Sequence, residues 1–195
     1  MAKKKKNYLK TMVMVHGKSE LQICSFIKSN LKIKLEIESD QKGEKSIQIT
    51  SIMNRLDGKK FKDFDFFKSQ FDDIEYKGKK LLNFSFFIIM DTDDCNLEQK
   101  LNFLNKSMFK KHWLHKYIIP IYNSPKLEEV LKKAKVPFKS KKDDEMKKEY
   151  IELFPTAKSS EVCEKAQIED LVKKLENIEE TNMEIFFKHC LEIAK

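Results

Sequence analysis

Apolar and polar positions along this chain switch between two periods, and the switches mark its elements. "KTMVMV" (10–15) is a short continuous apolar run, the pattern of a strand covered on both faces. After "HG", Ser19 followed three residues later by Gln22 predicts a capping box. Leu21, Cys24, Ile27 and Leu31 then recur at helical spacing and predict a helix over 19–31. "KIKLEIE" (32–38) alternates strictly, which predicts a half-buried strand near a sheet edge. "SDQKGEK" reads as a loop. "SIQITSIMNRL" reads as a helix carrying Ile49, Ile52, Met53 and Leu56 on one side. Phe64, Phe67, Phe71 and Ile74 fall at i, i+3, i+7 and i+10, a helix whose aromatic stripe suits a core better than a base-stacking platform.

"NFSFFIIM" (83–90) is the strongest strand signal and ends in "DTDDCN". Leu97, Leu101, Leu104 and Met108 return to helical period over 97–109. "KYIIPIY" (116–122) reads as a further strand, which Pro120 demotes towards an edge because proline cannot donate to a ladder. "NSP" then starts a helix over 125–135, with Ser124 as cap and Pro125 in the first turn. "VPFKSKKDD" is a basic loop, and three more helices are expected at 144–153, 160–176 and 181–194. Strands alternating with helices predict an α/β fold: a mainly parallel four-stranded sheet flanked by helices, a Rossmann-like three-layer arrangement. The expected organisation is an α/β domain over 1–140 with a helical C-terminal extension, 141–195, packed on the same domain. No internal repeat is visible.

Charge changes this picture little. Basic residues number 39, of which only Arg55 is arginine, against 31 acidic ones, for a net charge of +8. A lysine-rich solvated surface explains this, and so does attraction to a polyanion such as nucleic acid. The near absence of arginine argues against dense bidentate phosphate recognition. "AKKKKNYLK" reads as a solvated tail, followed by too short an apolar run for a signal peptide. No run of 18 apolar residues exists, so no membrane span is expected. Cys24, Cys95, Cys163 and Cys190 stand far apart without C-x-x-C pairing, the pattern of reduced structural thiols in a cytoplasmic protein.

The candidate chemistry sits at strand ends, where open α/β sheets collect ligands. His16 follows the first strand and Asp91 the most buried one; on neighbouring strands, roughly 5 Å apart, they would converge on one ion. "DTDD" offers Asp91, Asp93 and Asp94 within four residues, a set suited to a hard cation such as Mg²⁺. The competing reading is an acidic turn in which Asp94 or Asn96 caps the next helix. Glu20, four residues after His16, can join the acidic set or merely favour the helix dipole. "GKS" is not a phosphate loop: the glycine required five positions before Gly17 is Met12, inside the strand. A single phosphate oxygen at the helix amino end beside Lys18 remains open. "HWLH" places His112 and His115 at i, i+3 with no third ligand, and surface histidines are the simpler reading.

An apolar strand, a short "x-G-K-S-E" turn into a helix and a later strand ending in "D-x-D" together resemble the Toprim fold, in its RloB-like and OLD-type nuclease branch. Gly17, Ser19 and Glu20 match the first motif, Asp91 and Asp93 the second, and Asp94 an extra acid of RloB-like sequences. "NSPKLE" (123–128) resembles a further segment and nominates Glu128 as an accessory residue. The resemblance implies Mg²⁺ (or Mn²⁺) held by Asp91, Asp93, Asp94 and Glu20. His16, Glu20 and Asp91 would be catalytic and Lys18 would bind phosphate. It departs at His16, where the family has a glutamate that acts as acid/base or metal-associated residue. The expectation is a metal-dependent nuclease on DNA or RNA, in phage defence or a mobile element. The alternative is a catalytically degenerate interaction protein, working beside an ATPase partner or as a homo-oligomer.

Overall fold

The computed structural model describes residues 8–140, 142–156 and 165–194. The basic tail at 1–7, Cys163 and the start of the helix expected at 160–176 lie outside them. Four strands, β1 (Thr11–Val15), β2 (Leu35–Glu38), β5 (Ser85–Asp91) and β6 (Ile118–Asn123), form one parallel sheet in the order β2-β1-β5-β6. Both central strands are continuous apolar runs because both of their faces are covered. Alternation divides their side chains between two cores. Val13, Val15, Phe87 and Ile89 pack against α1 (Lys18–Leu31), α5 (Leu127–Lys133), α6 (Asp143–Leu153), α7 (Lys165–Leu175) and α8 (Met183–Ile193). Met12, Met14, Phe86, Ile88 and Met90 face the opposite layer, which includes α2 (Ile52–Leu56), α3 (Phe64–Gln70) and α4 (Leu97–Leu104). This is the expected three-layer α/β arrangement. Tyr150, Phe154, Ile168, Leu175 and Phe187 of the last three helices share one apolar cluster with β1 and β5.

Both demoted strands are at the rims. β2 is one edge, and β6 is the other. Pro120 pairs in register with Ile88 on its inner side, and its carbonyl accepts from Asn182 Nδ2 on the outer side. Several boundaries differ from expectation. The helix expected from "SIQITSIMNRL" begins as a 3₁₀ turn at Ile49–Ser51 and is helical only over α2, because the Ile47 amide is taken by the His16 carbonyl (2.8 Å). α3 ends at Gln70; Phe71 is extended, and Ile74 bridges Leu9. Between them and β5 lies a hairpin of β3 (Tyr76–Lys77) and β4 (Lys80–Leu81), turned at Gly78 with φ +60°. α4 stops at Leu104, where Lys106 turns left-handed and a 3₁₀ turn, Ser107–Phe109, follows.

One predicted helix start is corrected, and for another the structure decides between two offered caps. α5 begins at Leu127 rather than at Pro125, because Asn123 and Pro125 carbonyls both accept from the Thr92 amide and keep that segment beside β5. α4 is capped by Asn96, whose Oδ1 accepts from the Gln99 amide (2.9 Å) while Gln99 Oε1 accepts from the Asn96 amide (2.9 Å). Asp94 is therefore not the cap. Asn96→Ala should cost about 1 kcal/mol, a fall in melting temperature of roughly 2–4 °C, read by thermal unfolding. No helix among the described residues is long and apolar enough to cross a membrane.

Candidate functional site

Strand order reverses at β1, with β2 on one side and β5 on the other, so the carboxyl-end crevice opens between β1 and β5. Their register pairs Val15 with Ile89, and β5 runs on to Asp91. The strands are neighbours, as the convergence of His16 and Asp91 required. The side chains nevertheless leave the sheet on opposite faces. Asp91 follows the parity of Phe87 and Ile89 towards α1 and α5, whereas His16 follows Met12 and Met14. His16 Nδ1 donates to the Ile47 carbonyl (2.9 Å), which fixes its proton on that nitrogen.

What meets Asp91 instead is a pair of glutamates. Glu20 lies in the first turn of α1, with Oε2 accepting from the Gly17 amide (3.0 Å). The predicted Ser19/Gln22 box does not form: the helix starts at Lys18, and Glu20 makes one half of a box by accepting from the Gly17 amide, the other half being closed to glycine. Ser19 Oγ donates to Glu128 Oε1 of α5 (2.9 Å), and Gln22 Nε2 donates to the Phe154 carbonyl (2.8 Å). Asp91 Oδ1 accepts from Asn123 Nδ2 (3.2 Å) and the Leu127 amide (3.1 Å). Glu20, Asp91 and Glu128 are 2%, 5% and 3% exposed, so three carboxyls from three elements are sealed together. Burial, then the charges of Glu20 and Glu128, push Asp91 up to about 9, against the opposing Asn123 hydrogen bond. Burial also raises Glu20, while the nearby His16 acts in the other direction.

The rest of the acidic turn behaves differently. Asp93 is exposed. Both Asp94 carboxylate oxygens are buried without a hydrogen-bond partner; the Ile49 amide is near enough to favour the charged form without completing a bond. Burial raises Asp94 and His16 opposes this, so His16 stands electrostatically between Glu20 and Asp94. Lys18 is exposed and paired with Glu44 (2.9 Å). His112 is buried, not superficial: its Nε2 meets the Leu56 carbonyl (3.1 Å) and its Nδ1 accepts from the Leu114 amide, a structural role. A cavity of about 800 Å³ beside Phe64, Lys110 and Trp113 contains none of the clustered carboxyls.

No protein-family model, curated protein or solved structure matches this chain. The site is therefore judged on its own chemistry. Its donors are hard oxygens, the set Mg²⁺ or Mn²⁺ takes; both Asp94 oxygens lack a hydrogen-bond partner, while Asp91, raised to about 9, is held in its neutral form. Among the described residues, no group of three or more His, Cys, Asp or Glu side chains is placed so that it could hold a metal ion.

Two supporting residues, Asn123 and Ser19, lie within the matched segments but were not expected to act in the site. Asn123 ends β6 opposite Asp91, fully buried, and joins it to Thr181, whose Oγ1 donates to Asn123 Oδ1 (3.0 Å). A polar residue closing an apolar strand was the available signal. Ser19 stood in the first motif, but its bond to Glu128 depends on α1 and α5 lying side by side.

Proposed function

We propose that this chain is a Toprim-like, Mg²⁺- or Mn²⁺-dependent phosphodiesterase acting on DNA or RNA. The observation that carries the reading is the burial of Glu20, Asp91 and Glu128 together at the β1–β5 crevice. Three sealed carboxyls cost stability unless something favours their charged forms. Glu20 and Asp91, with Asp93 and Asp94 beside them, would hold the metal, and Glu128 would support them. When bound, the metal supplies charge stabilisation for the phosphoryl group. Lys18, once released from Glu44, neutralises a phosphate oxygen at the amino end of α1. His16, hydrogen-bonded at Nδ1, leaves Nε2 as the ring nitrogen that can accept.

The first test is the thermal response to metal. With Mg²⁺ or Mn²⁺ at about 100 times its dissociation constant, the wild type should gain about 2.7 kcal/mol, and Asp91→Ala should gain nothing. No response in the wild type would sink the reading. Plasmid-nicking and RNA-cleavage assays follow. The engaged Nδ1 of His16 at a position where a glutamate is expected favours a second reading, a catalytically degenerate interaction protein. Cleavage by His16→Glu, starting from an inactive wild type, would establish that alternative.

A further inference from the structure

The two rims of the sheet are finished differently. On β6 the outward backbone groups are taken: the Ser124 amide donates to the Glu180 carbonyl (2.8 Å), and Asn182 spans the edge. Its Oδ1 accepts from the Tyr122 amide (2.9 Å) and its Nδ2 donates to the Pro120 carbonyl (3.1 Å). β2 has no such cover. The Lys10 carbonyl accepts from the Ser85 amide of β5, so Thr11 and Val13 turn their backbone groups towards β2. The register of Thr11 with Leu35 then turns the backbone of Glu36 and Glu38 inwards and that of Leu35 and Ile37 outwards. Among the described residues, none bonds the outward amides or carbonyls of Leu35 and Ile37. Such an edge is a template for another strand.

Charges on an edge strand usually guard it, but the order of signs here selects a partner. Lys34 precedes Leu35, while Glu36 and Glu38 follow it; Lys32, left-handed at φ 51°, bounds the stretch at Ile33. We propose that β2 is the interface of a homodimer, in which two copies join their sheets through antiparallel β2 edges. Centred on Leu35, the pairing sets Lys34 against the partner's Glu36 and Ile33 against the partner's Ile37, each twice over by two-fold symmetry. A shift of the pairing by one step in either direction sets Lys34 against the partner's Lys34, or Glu36 against the partner's Glu36, so the charges also fix the register. The Lys34 and Glu36 side chains are 36% and 38% exposed and can take these partners, although Lys34 also pairs with Asp73 and Lys60 lies 3.7 Å from Glu36. Ile33, Leu35 and Ile37 belong to the apolar cluster shared with α1, which the pairing continues across the two-fold axis. The proposal goes beyond the metal-dependent reading and stands without it.

The test is sedimentation of the full chain over a range of concentrations, with circular dichroism to check folding. The wild type should show a monomer–dimer equilibrium; a wild type still monomeric at about 1 mM overturns the proposal. Ile37→Pro removes an outward donor and leaves the β1 ladder intact, so it should abolish the dimer in a folded chain. Lys34→Glu should weaken the dimer about tenfold, because two symmetric pairs become like-charged. The charge swap Lys34→Glu/Glu36→Lys restores opposite signs across the axis and should recover the dimer. Both variants lose the Lys34–Asp73 pair, so recovery can come only from the interface. A wild-type dimer that Ile37→Pro and Lys34→Glu leave unchanged uses another surface, which overturns the proposal. If Ile37→Pro does not fold, the swap decides: failure to recover the dimer lost in Lys34→Glu overturns the pairing.

Discussion

Asp91→Asn is expected to raise the melting temperature of the metal-free protein at pH 8 by roughly 5–10 °C, and by much less at pH 5. Asparagine keeps the Oδ1 that accepts from Asn123 and the Leu127 amide, so the substitution removes charge and preserves shape. The sign follows from proton linkage. Asp91 titrates near its ordinary 3.8 in the unfolded chain and at about 9 in the fold. Between those values the native state holds a proton that the unfolded state has lost, so stability falls as pH rises. Each tenfold difference in proton affinity between the two states is worth about 1.4 kcal/mol. Because burial raises Glu20 beside it as well, Asp91 realises part of the total, about 2–4 kcal/mol at pH 8. Thermal scans of both proteins from pH 4 to pH 9 read this directly. A wild type more stable than Asp91→Asn at pH 8 would mean that the carboxylate is ionised and satisfied within the protein.

The same carboxyl shows how far the residue pattern carries. The four strands and their parallel pairing were readable, because strands buried on both faces leave continuous apolar runs that few other arrangements produce. Pro120 and the alternation of "KIKLEIE" marked the two edges for the same physical reason: an edge tolerates a missing donor and a wet face. Asp91 was readable because it ends the most apolar strand. The pairing of His16 with Asp91 was not, although the means to reject it were present. Side chains alternate across a sheet, so residues on neighbouring strands meet only if they share parity in the register, and the register is a long-range property. Glu128 came only through resemblance, since the 109 residues between Ser19 and Glu128 give no local sign that α1 and α5 adjoin.

Two helix starts, those of α1 and α5, failed for a related reason. The Ser19/Gln22 box gives way to the single Glu20 bond back to the Gly17 amide, because Glu20 is drawn inwards with Asp91 and Glu128. Pro125 suited a first turn, yet the segment stays bound to Thr92 at the end of β5. Local preference sets what an element can do; contacts with distant segments decide which option is used.

Asn123→Asp is expected to destabilise the protein by about 3–5 kcal/mol at pH 8. Asn123 is fully buried and bonds on two sides, donating from Nδ2 to Asp91 and accepting at Oδ1 from Thr181. Aspartate keeps the acceptor for Thr181 and the volume of the side chain. It replaces the donor facing Asp91 with a second acid, beside a cluster that already includes Glu20 and Glu128. Burial and like charge would raise the new group above the usual value of about 3.9. The native state then binds more protons than the unfolded one, so the loss grows as pH rises above about 4. Near pH 5 the introduced carboxyl, once protonated, can donate to Asp91 as the amide does, and most of the loss should vanish. Urea unfolding at pH 5 and pH 8 separates the causes. Equal losses at both values would assign the effect to disturbed packing between β6 and α8, where the Asn123–Thr181 bridge and the Asn182 bonds to Tyr122 and Pro120 hold the strand edge. A loss confined to high pH would place the electrostatics of the acidic cluster in direct contact with the helix that closes the fold.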